Sequence, residues 1–313
     1  EKGTIVKIGV ERNAEIKNFD VTRDNINALT WGEMLDDETA YLEISSFGTS
    51  LAESVELYLN SFKEEGAKNL ILDLRDNGGG YLEAINSLSE LFFEEGTTIY
   101  FEKFTNGEET EYKLKNSRSH LYPYDDIVVL INENSASASE VFALALRDNI
   151  GATLVGNTTY GKGTVQRQTQ DGIDKSYLKY TFAKWYSPSK VNIHEVGVEP
   201  DVKSLLPDIF YEPYIEIEKE ITSYDTVDDA VKYIQKGLNF LGYHNGREDS
   251  YYDLATRDSI NKYKADKGLT LNDTIDQEFI LSVYSNVVKE WALNKNAKDT
   301  QLKKALEVIQ LGT

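Results

Sequence analysis

Apolar residues recur along this chain with two different periods, and the switches between them divide it into parts. In residues 4–10, "TIVKIGV", Val6, Ile8 and Val10 fall on one face at period two, the mark of a strand. Asn13 and Ala14 predict a turn, and Phe19 and Val21 a return strand. Two strands bury no core by themselves. "AYLEISSF" (40–47) reads as a further strand, and Leu51, Val55, Tyr58 and Phe62 follow it at helical spacing. "NLILDL" (69–74) and "DIVVLI" (126–131) are short, almost continuous apolar runs, as in strands covered on both faces. A helix is expected over about 81–93, with Leu82, Ile85, Leu88 and Phe92 inward, and another over 139–148. Such strand–helix alternation predicts an α/β fold with a largely parallel sheet and helices packed on it. Between about 164 and 186 the pattern returns to β.

Residues 205–224, "LLPDIFYEPYIEIEKEITSY", show no clean period, carry two prolines and read as a linker. Beyond them the spacing is helical. Val231, Ile234, Leu238 and Leu241 form one stripe, and Ile260 with Tyr263 a second. Leu281, Val288 and Trp291 form a third, and Leu302, Ala305, Leu306 and Ile309 a fourth, on an amphipathic last helix. The expected parts are therefore a β segment (1–25), an α/β core (26–204), the linker (205–224) and a helical domain (225–313).

Composition narrows the function classes. Of 313 residues, 53 are acidic and 33 basic, a net charge of −20, which argues against nucleic acid or a bare anionic membrane surface as partner. There is no cysteine, so disulfides, thiolate nucleophiles and thiolate-ligated zinc are excluded together. No run of ~18 apolar residues offers a membrane span. The chain starts at Glu1 and its single methionine is Met34, so it reads as a piece whose start, with any signal or anchor, lies upstream.

Candidate chemistry centres on "INENSASASEV" (131–141), three alternating serines between a strand and a helix. Ser137 precedes Glu140 by three, the spacing of a capping box. The same place suits a nucleophile, because a helix N-terminus exposes free N–H groups to an oxyanion. The local pattern leaves both readings open. A Ser-His-Asp triad needs a histidine nearby. Of His120, His194 and His244, only His194 falls in the α/β region away from a polar stretch. The other base is Lys162, in "YGKGTVQ" between Gly161 and Gly163. To accept a proton near neutral pH it must first lose its own, which burial beside Val165, Tyr160 and the "VVLI" strand would favour. A solvated loop lysine is the plain alternative. "DLRDNGGGYL" (73–82) is a glycine-rich strand-to-helix turn without GxGxxG or GK[ST], whose N–H groups could hold a tetrahedral intermediate.

The ordered set "LDLRDNGGG", "SASASE", "VGNTTYGKGTVQ" and "WYSPS…GVEPDV" resembles the carboxy-terminal processing peptidases, also called tail-specific proteases, over about residues 1–203. The resemblance implies a ClpP/crotonase-like protease core, with Ser137 as nucleophile, Lys162 as base and Gln166 supporting the lysine. It implies an oxyanion hole from the backbone N–H of Ala138 and of Gly79 or Gly80. Gly78 stands where the family usually has proline. The opening segment, including "FDVTRDNI", looks like the tail of a PDZ domain. The stretch around 227–290 resembles the three-helix peptidoglycan-binding module, matching at Leu238, Leu241, Gly242, Tyr243, Gly246, Asp249, Thr256, Ile260, Tyr263, Gly268 and Leu269. Asp249-Ser250 and Asn272-Asp273 replace its common Asp-Gly, and Lys264 its usual Gln. Tyr243, Tyr251, Tyr252 and Arg247 are candidates for glycan or stem-peptide contact, and a plain packing domain is the alternative.

The expected function is a serine endopeptidase with a Ser-Lys dyad, needing no metal or cofactor. It would cut extracytoplasmic bacterial proteins near their C-termini, from an envelope location with a membrane anchor upstream. Expected partners are protein or peptide substrates, with peptidoglycan and a second copy, through the last helix, as further candidates. The rival readings are a cell-wall-binding scaffold with an inactive core and a His194-dependent hydrolase.

Overall fold

The opening period-two segment forms a hairpin. In the computed structural model, which describes residues 3–12, 15–23, 29–170 and 176–311, β1 (Ile5–Arg12) pairs antiparallel with β2 (Glu15–Thr22). Val6 lies opposite Val21 and Ile8 opposite Phe19, so the apolar side chains share one face. That face is open: Phe19 is 51% exposed. The turn expected at Asn13 and Ala14 lies outside the described residues. The chain forms two units, Glu1–Leu154 with Thr158–Asp201, and Val155–Asn157 with Val202–Thr313.

In the first unit, the "AYLEISSF" stretch becomes β4 (Thr39–Ile44), preceded by β3 (Thr30–Met34), which the periodicity had not marked. The helix α1 (Leu51–Glu65) buries Leu51, Val55, Leu59 and Phe62 on one stripe and stops at Gly66 in the left-handed conformation. Next come β5 (Asn69–Asp73) and α2 (Leu82–Ser89). The second helix is shorter than expected, and Phe92 and Phe93 are buried from the turns after it. The strands β6 (Thr98–Phe104) and β7 (Glu109–Lys113) precede β8 (Asp126–Ile131), α3 (Ala138–Ile150) and β9 (Thr153–Gly156). A hairpin of β10 (Thr164–Gln170) and β11 (Tyr177–Tyr186) follows.

Two sheets result. One runs in the order β3-β4-β5-β8-β9, with β4, β5 and β8 parallel, as the buried runs predicted, and β3 antiparallel at its edge. The other, β10-β11-β6-β7, is wholly antiparallel. The carboxyl ends of β5 and β8 lead into the glycine-rich turn and the three serines. That is where open α/β sheets place ligand sites.

A buried ion pair anchors the end of β5. Asp73 accepts from Arg75 Nη2 at 2.6 Å and Nε at 2.9 Å, and from the Tyr41 hydroxyl at 2.5 Å. Both charged residues are at most 9% exposed. Burial by itself raises the Asp73 carboxyl, but the charge and hydrogen bonds of Arg75 outweigh it and hold it below the ordinary carboxylate range.

The second unit holds β12 (Val202–Lys203), whose two residues pair in parallel with Val155 and Gly156. It also holds α4 (Asp229–Phe240), α5 (Leu254–Lys267), α6 (Gln277–Lys298) and α7 (Thr300–Leu311). Aspartates cap all four: Asp228, Asp253, Asp276 and Asp299 each accept a backbone N–H of the first turn. The segment 205–224 is packed onto this unit and is not a free tether. Ile209 is buried in the helical core, and Ile221 pairs with Ile275 through two backbone bonds. The stripe on α6 also differs from expectation. Phe279, Ile280, Val283 and Val287 face inward, while Leu281 and Val288 are 51% and 48% exposed.

Replacing Arg75 with leucine leaves the Asp73 charge buried and unpaired, and urea unfolding at pH 7 should show a loss of about 3–5 kcal/mol. The folded Asp73 carboxyl titrates below its unfolded value of about 3.9, so its contribution is complete above that pH and disappears as the pH falls through the folded value. The difference between wild type and Arg75→Leu should therefore shrink in acid.

Candidate active site

The three serines have separate tasks. Ser135 Oγ donates to the Leu74 carbonyl at 2.7 Å and accepts from Asn132 N–H at 3.0 Å. Ser139 Oγ donates to the Asn77 carbonyl at 2.8 Å, beside Ala136 N–H at 3.0 Å. The outer two thus tie the bend to the glycine-rich turn. Ser137 caps α3 at φ 59°, a left-handed conformation that serine seldom adopts. Strain of that kind concentrates at functional sites.

Glu140 is the residue whose reach the sequence did not reveal. It is fully buried, and its carboxylate gathers four donors. One oxygen accepts Ser137 N–H at 2.7 Å and Lys162 N–H at 2.9 Å. The other accepts Gly161 N–H at 2.7 Å and the Thr159 hydroxyl at 2.5 Å. The expected capping contact to Ser137 is therefore half of a clamp that joins the serine bend to the lysine segment. Tyr160 N–H adds a bond to the Ser135 carbonyl at 3.0 Å.

The glycine-rich turn closes from the other side. Asn77, fully buried, donates to the Ile44 carbonyl at 2.7 Å and accepts Gly79 N–H at 2.9 Å. The Gly79 carbonyl accepts Phe47 N–H at 3.0 Å, and Tyr81 N–H donates to the Phe47 carbonyl at 2.8 Å. A Cβ on Gly79 would stand 2.8 Å from Ser137 Cβ and 2.9 Å from Ala138 N, and one on Gly80 2.2 Å from the Phe47 carbonyl oxygen. Both positions need glycine for close approach. Gly78 does not: a Cβ there meets nothing within 4 Å.

These segments border one cavity of about 740 Å³, lined among others by Gly80, Tyr81, Ser137, Lys162, Gln166 and Trp185. Ser137 and Lys162 are half-buried and Gln166 is exposed at the start of the hairpin. Ala138 is buried behind the serine. Of the expected apolar neighbours of Lys162, Val165 lines the cavity, but Tyr160 is 68% exposed and does not line it. Its place is taken by Trp185, 1% exposed, whose indole N–H donates to the Lys162 carbonyl at 2.9 Å. His194 does not line the cavity. Its Nδ1 is buried without a partner, and the carboxylate at its Nε2, Glu195, lies 4.0 Å away and is itself 85% exposed. That is not the oriented imidazole a triad requires.

Residues 38–204 match the family model described as Peptidase family S41. The chain belongs to that family. Residues 227–275 match a peptidoglycan binding domain model. The carboxy-terminal processing protease CtpA of Bacillus subtilis is 34% identical over 313 residues, covering 99% of this chain and 65% of the relative. A CtpA-like serine protease of Staphylococcus haemolyticus is 32% identical over 281 residues, covering 89% and 55%. The chain thus spans between about half and two thirds of these relatives' length. The solved structure of an S41 protease from Bacteroides fragilis shares the fold at TM-score 0.50 and 15% identity, covering 65% of this chain and 59% of that one.

In the S41 core two substitutions separate close approach from mere flexibility. Gly80→Ala forces a methyl against the Phe47 carbonyl, and circular dichroism melting should show a drop typical of overpacking, about 1–3 kcal/mol, with the turn displaced. Gly78→Ala should melt at or above wild type. For the clamp, Glu140→Gln presents an amide N–H₂ to groups that are themselves donors. Each stranded donor costs roughly 1–3 kcal/mol, so this near-isosteric change should destabilise strongly in the same assay.

Proposed function

We propose that this chain is a serine endopeptidase working through a Ser137–Lys162 dyad. The supporting observation is that the serine and the lysine border one cavity while the backbones of both hang on a single buried carboxylate, Glu140. The Ser137 hydroxyl attacks the scissile carbonyl carbon while the Lys162 amine takes its proton. The proton then passes to the leaving amine as the peptide bond breaks, and water cleaves the acyl-serine by the same route reversed. Gln166, at the mouth, orients the lysine.

Two backbone N–H groups are assigned to the oxyanion. Ala138 N–H lies at the start of α3, where helix donors are free and the dipole is positive. For the second donor we choose Gly80 over Gly79, because Gly79 N–H is already bonded to Asn77 Oδ1, whereas Gly80 lines the cavity. Proteins of the bacterial cell envelope, cut near their C-termini, are the proposed substrates. This rests on the name of the Bacillus subtilis relative and on the peptidoglycan binding domain match. The hairpin β1–β2 is assigned to the end of a PDZ domain, residues 26–204 to the protease core, and residues 205–224, which pack into the helical core, to the helical domain that follows.

In the helical unit, contact with peptidoglycan is narrowed to fewer side chains. Tyr252 is fully buried, with its hydroxyl on the Asp273 carbonyl at 2.7 Å, so it serves the core. Arg247 is held by Asp249 at 2.6 Å and lies 4.5 Å over the Tyr251 ring. That pair and Tyr243 stay as candidates.

Cleavage of an unstructured protein should be lost in Ser137→Ala and in Lys162→Ala, fall by about 10²–10⁴-fold in Gln166→Ala if the lysine is misaligned, and persist in His194→Ala. Loss only in His194→Ala would point to a histidine-dependent hydrolase. No cleavage by any form, with retained binding to purified peptidoglycan, would favour the scaffold.

A further inference from the structure

The cavity beside Ser137 holds a carboxylate that the proposed reaction does not use. Among the described residues of the first unit the buried acids are Asp73, Glu140 and Glu102. Asp73 has the Arg75 guanidinium, and Glu140 has four donors. Glu102 is 3% exposed and has one partner, the Tyr112 hydroxyl, which donates to Oε2 at 2.8 Å. Among the described residues Oε1 takes no donor, and it is not sealed in, because Glu102 lines the cavity. Burial pushes this carboxyl up, and the Tyr112 bond and the charge of Arg167 bring it only part of the way back. Arg167 and Lys179 also line the cavity, but both are exposed on the hairpin and neither forms an ion pair with Glu102. Arg167 lies instead over the Phe182 ring, at 4.5 Å. A buried carboxylate with a single hydrogen bond lacks a cation. The surroundings suit a long side chain. Tyr100, Glu102 and Phe104 alternate onto one face of β6. On β7, Tyr112 stacks on Tyr100 with ring centroids 4.4 Å apart. Leu82 of α2 and Trp185 add to the apolar lining. Glu102 lies opposite Trp185 in the sheet, and Trp185 N–H bonds the Gly163 carbonyl at 3.1 Å. Two strand spacings, about 10 Å, therefore separate Glu102 from the lysine segment.

We propose that Glu102 is the floor of a specificity subsite for a lysine side chain of the polypeptide substrate, held a residue or two from the bond that Ser137 attacks. The four-carbon stem of the lysine covers the apolar wall of Leu82, Tyr100 and Phe104, and its ammonium brings the missing cation to Oε1. Lysine fits better than arginine. With Oε2 held by Tyr112, one oxygen is open, which suits a point charge and denies a guanidinium its paired contact. The place of the lysine relative to the cut rests on the Ser137–Lys162 reading, while the pocket itself does not.

Glu102→Gln tests this, because the amide oxygen still accepts from Tyr112 while the charge is gone. Wild type and variant each digest the same random dodecapeptide library, and the cuts are mapped by mass spectrometry. Wild type should show lysine enriched above arginine at one position within about two residues of the cut, and the variant should not. In a peptide taken from that set, replacing the lysine with norleucine should lower kcat/KM about tenfold to a hundredfold in wild type, and about twofold or less in Glu102→Gln. A glutamate with a purely structural role would lower cleavage of both peptides alike. Such an equal fall, no enrichment of lysine, or a preference for arginine would overturn the proposal. If wild type cuts nothing, the dyad fails, and the same library is screened for capture by the intact chain. Lysine-bearing peptides retained by wild type and released by Glu102→Gln would keep the subsite. Capture that is absent, or indifferent to the substitution, would overturn it.

Discussion

One buried carboxylate holds this site together. Glu140 sits in the first turn of α3, wholly out of water, and satisfies itself by collecting the backbone of Ser137 on one side and that of Gly161 and Lys162 on the other. A buried carboxylate is costly unless its oxygens are filled. Here the filling joins two segments that are adjacent only in the folded state. The outer serines fasten the same bend to the glycine-rich turn. The geometry proposed for catalysis is thus set mainly by hydrogen bonds to backbone groups, which position atoms more firmly than long side chains packing against one another.

The parallel strands were legible because β5 and β8 are continuous apolar runs, and α1 because its stripe keeps one period. The serine and the lysine stood out through their motifs. The clamp did not, because Ser137 and Glu140 read the same way whether a glutamate closes a cap or also holds a distant loop. Trp185 was hidden for a similar reason. Tyr160 is two residues from Lys162 in sequence, but a strand pairing places Trp185 N–H on the Gly163 carbonyl at 3.1 Å and its indole N–H on the Lys162 carbonyl at 2.9 Å. Sequence proximity favoured the wrong aromatic.

The helical unit shows the same limit. Residues 279–291 carry enough apolar positions for two stripes, and only the packing of α6 against α4 selects Phe279, Val283 and Val287 over Leu281 and Val288. The unperiodic stretch 205–224 looked like a tether because its buried residues, such as Ile209 and Ile221, are spaced by turns and single bridges. Departures from the module pattern have local reasons. Ser250 holds φ 76°, the conformation glycine would adopt there. Lys264, buried and with its ammonium pulled down by desolvation, reaches Asn272 Oδ1 and the Thr274 carbonyl, both at 2.6 Å, and so ties down the loop after α5.

The central claim is that Ser137 is the one activated alcohol and that the amine of Lys162 activates it. Fluorophosphonate labelling followed by peptide mass mapping examines this directly, since the reagent bonds only to a serine whose proton is being removed. The account predicts a single adduct, on Ser137, formed far more slowly when Lys162 is replaced by methionine. An adduct on another serine, or undiminished labelling of Ser137 in that variant, would contradict it.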